Sequence, residues 1–383
     1  MTRPEICDAI SSTIGLEPYR AKQIFSWLHT RGCTDFSDMT DLSKAVRSEL
    51  HEYFSAETGA IATKQNSADG TVKWLVRFTP DNRTAEAVFI PEADRGTLCV
   101  SSQAGCALAC RFCHTGSSGF GRHLTAAEIV GQLHIARQAL GDLPLDPKRK
   151  RQVSNIVFMG EGEPLLNYRA VSRALHIMTD GAGPKIAGRR ITVSTSGIIP
   201  AIKRLGSEHP TVNLAISLHA TTNEARTALM PINRSNPLEP LLRACREFSR
   251  GVPRAENLKR RRRRITFEYV MLEGVNDSDA DAERLLRLVG NMPSLVNLIP
   301  FNPWPGAPYR ASSRATIERF AKKLESKGQY VTVRWSRGDD ILAACGQLSG
   351  KLSDSCMSSN TAVSRLMDEF DLEVRAKASE RKM

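Results

Sequence analysis

No stretch of this chain approaches the ~18 consecutive apolar residues that a membrane-crossing helix needs. The opening residues, Met1-Thr-Arg-Pro-Glu-Ile-Cys7, lack the apolar core of a secretory signal, and the early acidic residue argues against an organellar presequence. Self-similarity at a fixed period is also missing, which excludes solenoids and propellers. Acidic residues are in deficit: 41 Asp and Glu face 53 Lys and Arg, a formal net charge of +12. Such an excess draws polyanions, nucleic acid first among them. With no export signal, the nine cysteines point to a reducing compartment, and a cytoplasmic location is expected. Apolar content of 41% and charged content of 25% are ordinary for a globular protein, and 383 residues suffice for one large domain with appendages or for two domains.

The texture changes along the chain. Residues 1–58 read as helical, with Ala21, Ile24, Phe25 and Leu28 on one helical face. Residues 59–92 read as a small β extension, Lys73–Phe78 and Thr84–Ile90 joined through the turn signal Pro80-Asp81-Asn82. From about residue 93 to 346, buried-looking strands alternate with amphipathic helices. Strands are expected at Thr97–Ser101, Asn155–Met159, Arg190–Thr195, Asn213–Leu218, Ile265–Leu272 and Leu295–Pro300, with a closing strand at Tyr330–Trp335. Strand–helix repetition implies parallel strands with right-handed crossovers, in a full or partial β/α barrel or an open doubly wound sheet. Either architecture places its site at the C-terminal strand ends. Residues 347–383 form a polar C-terminal tail, helical at best.

Chemistry concentrates in Cys106-x-x-x-Cys110-x-x-Cys113, just after the first of these strands. Clustered soft thiolates select zinc or an iron–sulfur cluster. Three ligands are one short of closing either site. A [4Fe–4S] cube so held keeps one iron open, and this spacing resembles the radical S-adenosylmethionine (SAM) enzymes. The competing reading is a zinc loop with His114 as fourth ligand. It is the weaker one, because zinc sites usually pair two clusters distant in sequence and His114 abuts Cys113.

Four motifs make the likeness specific. Thr97-Leu-Cys-Val-Ser-Ser-Gln-Ala-Gly-Cys-Ala-Leu-Ala-Cys-Arg-Phe-Cys113, Gly162-Glu-Pro-Leu-Leu-Asn167, Asn297-Leu-Ile-Pro-Phe-Asn-Pro303 and Gly338-Asp-Asp-Ile-Leu-Ala-Ala-Cys-Gly-Gln-Leu348 resemble the RlmN family of dual-specificity rRNA and tRNA adenine-C2 methyltransferases. Glu161 stands where that family commonly has Met. The resemblance implies a partial (β/α)6 barrel with a small helical N-terminal domain, a [4Fe–4S] cluster, SAM, and 23S rRNA and tRNA as partners. It also implies a flavodoxin-like one-electron donor and a thiol reductant; a monomer is expected, with no membrane. Cys106, Cys110 and Cys113 would hold the cluster, and Gly162, Glu163, Ser194, Ser217, His219 and Asn302 would contact SAM. Cys345 would carry the methyl group, Cys99 would resolve the RNA–enzyme intermediate and Glu86 would accept a proton.

The implied chemistry suits an electron-poor carbon that cannot displace a methyl from SAM directly. One SAM methylates the Cys345 thiolate. A second yields a radical that removes hydrogen from that methyl, and the carbon radical adds to adenine C2. Attack by Cys99 on the Cys345 sulfur then releases the product and leaves a disulfide, which a reducing cell reopens. Taken singly, Cys99 would be a buried strand cysteine, Cys345 a small residue near a helix end, Glu86 a solvent-facing strand residue and His219 a core histidine. Cys7, Cys33, Cys245 and Cys356 have no ligand spacing. Two alternatives stay open: a Cfr-like adenine-C8 methyltransferase, and a non-catalytic RNA-binding protein with a structural metal loop. The runs Lys148–Arg151 and Lys259–Arg264 are either phosphate grips or solvated loops.

Overall fold

The computed structural model describes residues 1–79, 81–251, 263–350 and 366. Three helices open the chain: α1 (Arg3–Ile14), α2 (Tyr19–Ser26) and α3 (Lys44–Tyr53). Their shared core includes Ile6, Ile10, Ala21, Ile24, Phe25 and Leu50. Leu28 falls instead in a π turn, Trp27–Arg31, that ends on Gly32. Three antiparallel strands follow: β1 (Ala60–Asn66), β2 (Val72–Arg77) and β3 (Thr84–Pro91). β1 is exposed along its whole length, so no apolar alternation betrays it.

The remaining strands are β4 (Gly96–Cys99), β5 (Gln103–Gly105), β6 (Phe120–His123), β7 (Asn155–Phe158), β8 (Ile191–Thr195), β9 (Asn213–Ser217), β10 (Ile265–Met271), β11 (Ser294–Pro300) and β12 (Tyr330–Val333). Between them run α4 (His114–Ser117), α5 (Ala126–Ala139), α6 (Tyr168–Thr179), α7 (Ile199–Glu208), α8 (Asn223–Leu229), α9 (Leu238–Arg250), α10 (Asp279–Val289) and α11 (Arg314–Glu325). One ten-stranded sheet has the order β1-β2-β3-β4-β7-β8-β9-β10-β11-β12. It is antiparallel up to β4 and parallel from β4 to β12. Neighbouring parallel strands are successive in the chain apart from the β5–β6 hairpin, as a partial β/α barrel requires. The antiparallel ribbon continues the barrel sheet, with Val88 of β3 opposite Cys99 of β4.

The parallel strands are apolar because both faces are covered: Val193, Leu214, Ile216, Phe267, Val296 and Leu298 are fully buried. Helices start where short polar side chains cap them. Thr125 accepts from the Glu128 amide, and Glu128 returns a bond to Thr125 N–H; Ser313 caps α11. The helical N-terminus docks on the barrel through the ion pairs Arg3–Asp180 and Arg173–Glu5, and through buried ring contact between His29 and His134. Among the described residues, no helix is long and apolar enough to cross a membrane. Lys259–Arg262 and residues 351–365 lie outside the described residues. Arg263 lies across the Phe248 ring and donates to the carbonyls of Gly206 and Pro210.

Candidate active site

Short loops at the C-terminal ends of the parallel strands surround a cleft of about 920 Å³, counting the part open to solvent. Ten of the residues singled out in the sequence line it: Cys106, Cys110, Cys113, Gly162, Glu163, Ser194, Ser217, His219, Asn302 and Cys345. Cys99 and Glu86 do not.

The cysteine loop hangs from the β5–β6 hairpin, where Cys106 N–H donates to Gly119 O at 2.8 Å. It folds back so that Cys113 N–H meets Cys110 O at 3.1 Å. Burial raises all three thiol pKa values, with neighbouring thiols adding to the effect. Bound to a cationic iron core, the three cysteines would be held as thiolates in spite of that burial.

Opposite lies the loop after β7. Gly162 has φ +93°, and a Cβ there would stand 2.5 Å from the Gln103 side chain, so only glycine fits. Glu163 is buried and held: Oε2 accepts from Ser196 N–H at 2.7 Å and Oε1 from Leu165 N–H at 3.0 Å. Burial raises its pKa, opposed by those amides. His219 sits at φ +56° past β9, and its Nδ1 accepts from Val270 N–H at 3.0 Å. Burial and then Arg226 push its pKa down to about 3, so the ring is neutral and carries its proton on Nε2. Asn302 donates its side-chain amide to Cys345 O at 3.1 Å, which fixes the Cys345 main chain directly.

Cys345 belongs to a strap, residues 338–350, that crosses the mouth from β12 toward β3. Its anchors are side chains and turn amides rather than strand pairing. His114 N–H donates to Gly346 O at 2.8 Å, Thr115 Oγ1 to Leu348 O at 2.6 Å and Lys73 Nζ to Leu342 O at 3.2 Å. The His114 Nδ1 lies 3.2 Å from Gln347 O, and its ring stacks on Trp304 at 4.9 Å. His114 is thus committed to the strap. Among the described residues, no three His, Cys, Asp or Glu side chains converge as ligands of a single ion. Three thiolates with one position left open are the donor set a [4Fe–4S] cluster would take, whereas the fourth zinc ligand proposed, His114, is already engaged by Gln347 O and the Trp304 ring.

Cys99 is 7% exposed and packs in a small apolar group with Val88, Ile90, Ala343 and Leu348, the last two from the strap. Cys99 and Cys345 are free thiols, and a second cavity is lined by both, with Arg334. Burial and then the neighbouring Cys345 push the Cys99 thiol up to about 12, while Arg334 opposes. Glu86 points away from solvent, contrary to the reading of that strand residue taken singly. Its Oε1 pairs with Lys73 Nζ at 3.0 Å, and Oε2 accepts from Ser349 N–H at 2.8 Å.

Sequence reasoning missed three charged groups here. Arg226 is completely buried and ties the ends of β8 and β9 together. Glu268 lines the cleft from β10, its Oε2 accepting from Asn297 at 2.7 Å. Arg334 faces both Cys99 and Cys345. No spacing signals these residues, because each acts across the sheet rather than along the chain.

The radical SAM superfamily profile matches residues 100–286, and that of the ribosomal RNA large subunit methyltransferase N-terminal domain matches residues 1–55. The dual-specificity RNA methyltransferase RlmN of Rhodospirillum rubrum is 52% identical over 348 residues, 91% of this chain and 79% of that protein. The chain belongs to the RlmN family. The RlmN protein of Halorhodospira halophila is 49% identical, covering 93% of this chain and 94% of its own. The crystal structure of a radical SAM methyltransferase from Sphaerobacter thermophilus superposes with a TM-score of 0.83 at 42% identity, over 91% of this chain and 97% of that one. As an RlmN family member it is a radical SAM methyltransferase whose cofactors are a [4Fe–4S] cluster and SAM. The C8 and non-catalytic alternatives are not favoured by these likenesses.

Proposed function

We propose that this enzyme methylates C2 of adenosine in 23S rRNA and in tRNA through a methyl-cysteine intermediate. The observation that carries the reading is the position of Cys345, on the wall shared by the triad cleft and the cavity that holds Cys99. Cys106, Cys110 and Cys113 hold the cluster, and Gly162, Glu163, Ser194, Ser217, His219 and Asn302 orient SAM. When bound, the reduced cluster and SAM supply the one-electron chemistry that removes a hydrogen from an unactivated methyl.

Cys345 receives and presents the methyl group, with Arg334 on the same cavity wall. Cys99 attacks the Cys345 sulfur to free the product. Glu86 accepts the C2 proton once Oε2 leaves the Ser349 amide, while Lys73 keeps the carboxylate oriented. The adenine is turned out of its stack to reach Cys345. We read the chain as a helical RNA-binding unit (1–58), a β extension (59–92), the core (93–346) and a tail (347–383). We further infer a cytoplasmic monomer served by a flavodoxin-like donor and a thiol reductant.

Anaerobic turnover of Cys99→Ala tests the reading. This variant should load Cys345 and form the carbon bond to RNA, then stall as an adduct that survives denaturation and runs slowly on a denaturing gel. Cys345→Ala should never give that band. Normal turnover by Cys99→Ala would refute the two-cysteine route. Nucleoside digestion of the adduct reads C2 against C8.

A further inference from the structure

One buried side chain joins the two halves of the site. Glu161 is 1% exposed. Its Oε2 accepts the amide hydrogen of Gly105, the residue before Cys106, at 3.1 Å. Its Oε1 accepts that of Glu86 at 2.8 Å and that of Gly350, in the strap beyond Cys345, at 3.1 Å. The Glu161 main chain is itself fixed: its N–H donates to Ser101 Oγ at 2.8 Å, and its carbonyl accepts from Ser102 and Gln103 at 2.9 and 3.2 Å. Gly350 approaches so closely that a Cβ there would stand 3.0 Å from Thr84 O and 3.1 Å from Glu161 Oε1. Beside it, Glu86 holds the preceding amide, Ser349. Two carboxylates therefore grip consecutive amides of the strap, and one of them also grips the root of the cysteine loop.

A carboxylate suits this task because it accepts on both oxygens and donates nothing. An amide side chain has one accepting oxygen, and a thioether barely accepts at all. We propose that Glu161 is a positioning residue whose carboxylate ties the triad loop, through Gly105, to the Cys345 strap, through Gly350. The role rests on Cys345 being the methyl carrier. Hydrogen abstraction needs the donor carbon held close to the radical, and a misplacement of about 1 Å costs on the order of a hundredfold in rate.

Amide hydrogen exchange on the reconstituted full-length enzyme tests the tether. Glu161→Met should speed exchange at both Gly105 and Gly350 by about tenfold to a hundredfold, the equivalent of one lost amide–carboxylate bond at each. Glu161→Gln, with its single accepting oxygen, should release one of the two; it carries the test if the Met variant does not fold. Gly350→Ala should loosen the same contact from the other side. Iodoacetamide should alkylate Cys345 faster in all three, and the ratio of 5′-deoxyadenosine released to RNA methylated should rise. A purely structural role lowers both products in proportion and leaves that ratio unchanged. Parent-like exchange at both amides in Glu161→Met and Gly350→Ala would overturn the tether. Faster exchange with parent-like alkylation and ratio would overturn the positioning role. Normal methylation by Cys345→Ala would remove the carrier, and the positioning role with it, while the exchange result would still stand.

Discussion

Arg226 offers the most direct test of how the cleft is held. Its guanidinium is completely buried and makes five hydrogen bonds: Nε to Leu218 O (3.2 Å), Nη1 to Asn233 Oδ1 (2.8 Å) and Asn236 O (3.3 Å), Nη2 to Ser196 O (2.6 Å) and Ser217 O (3.1 Å). The four carbonyls come from the ends of β8 and β9 and from the turn before α9, so one side chain gathers three segments of the wall. Arg226→Met keeps the aliphatic stem and strands all five acceptors in the interior. A buried acceptor left without its donor costs about 1–3 kcal/mol, so with partial relaxation of the five the loss is about 4 kcal/mol. For a chain longer than 250 residues each kcal/mol shifts the midpoint by roughly 2 °C, so the variant should melt about 8 °C below the parent. Arg226→Lys should recover less than half of the loss, because an ammonium has three donors in no fixed plane against the five N–H groups of the guanidinium fork. Differential scanning calorimetry of the anaerobic full-length protein reads both. A Met variant that melts within about 2 °C of the parent would show that the carbonyls find other partners and that the arginine is dispensable.

Changing any one of Cys106, Cys110 and Cys113 to Ala should abolish the brown chromophore after anaerobic reconstitution and with it the cleavage of SAM. One zinc per chain with no iron would instead sink the cluster assignment. The His29–His134 pair should make docking of the N-terminal helices sensitive to acid. Burial and then Arg137 lower His134 from its ordinary 6.5 to about 4, and His29 moves in the same direction. The unfolded chain takes up the proton first, so stability is complete above about pH 6.5 and falls as pH drops toward 4, by about 3 kcal/mol for His134. Urea midpoints of His134→Gln should show a shallower loss between pH 7 and pH 4.5; an identical slope would clear this histidine of any part.

Much of this molecule was legible because buried parallel strands are apolar runs between turn residues. Ile191–Thr195, Asn213–Ser217 and Ile265–Met271 each fall within a residue of their expected ends. β1 was not, since Lys64, Gln65 and Asn66 have no buried face to impose a pattern. The β5–β6 hairpin escaped because three- and four-residue strands are too short for any period. The triad was readable as spacing, and the outlying cysteines only through family likeness. The buried charges Arg226, Glu161 and Glu268 show the limit. Their partners are mostly backbone groups from other strands and loops, and a backbone amide looks the same at every position in a sequence.

Chain growth runs from the N-terminus, so early segments exist before later ones. The strap is among the last described parts of this chain to appear, long after the triad loop that it closes over. A chain halted before residue 338 would own the triad and most of the cleft wall, yet have no Cys345 to receive a methyl group. Translation thus sets an order of commissioning, in which the triad loop exists before the strap that encloses its chemistry.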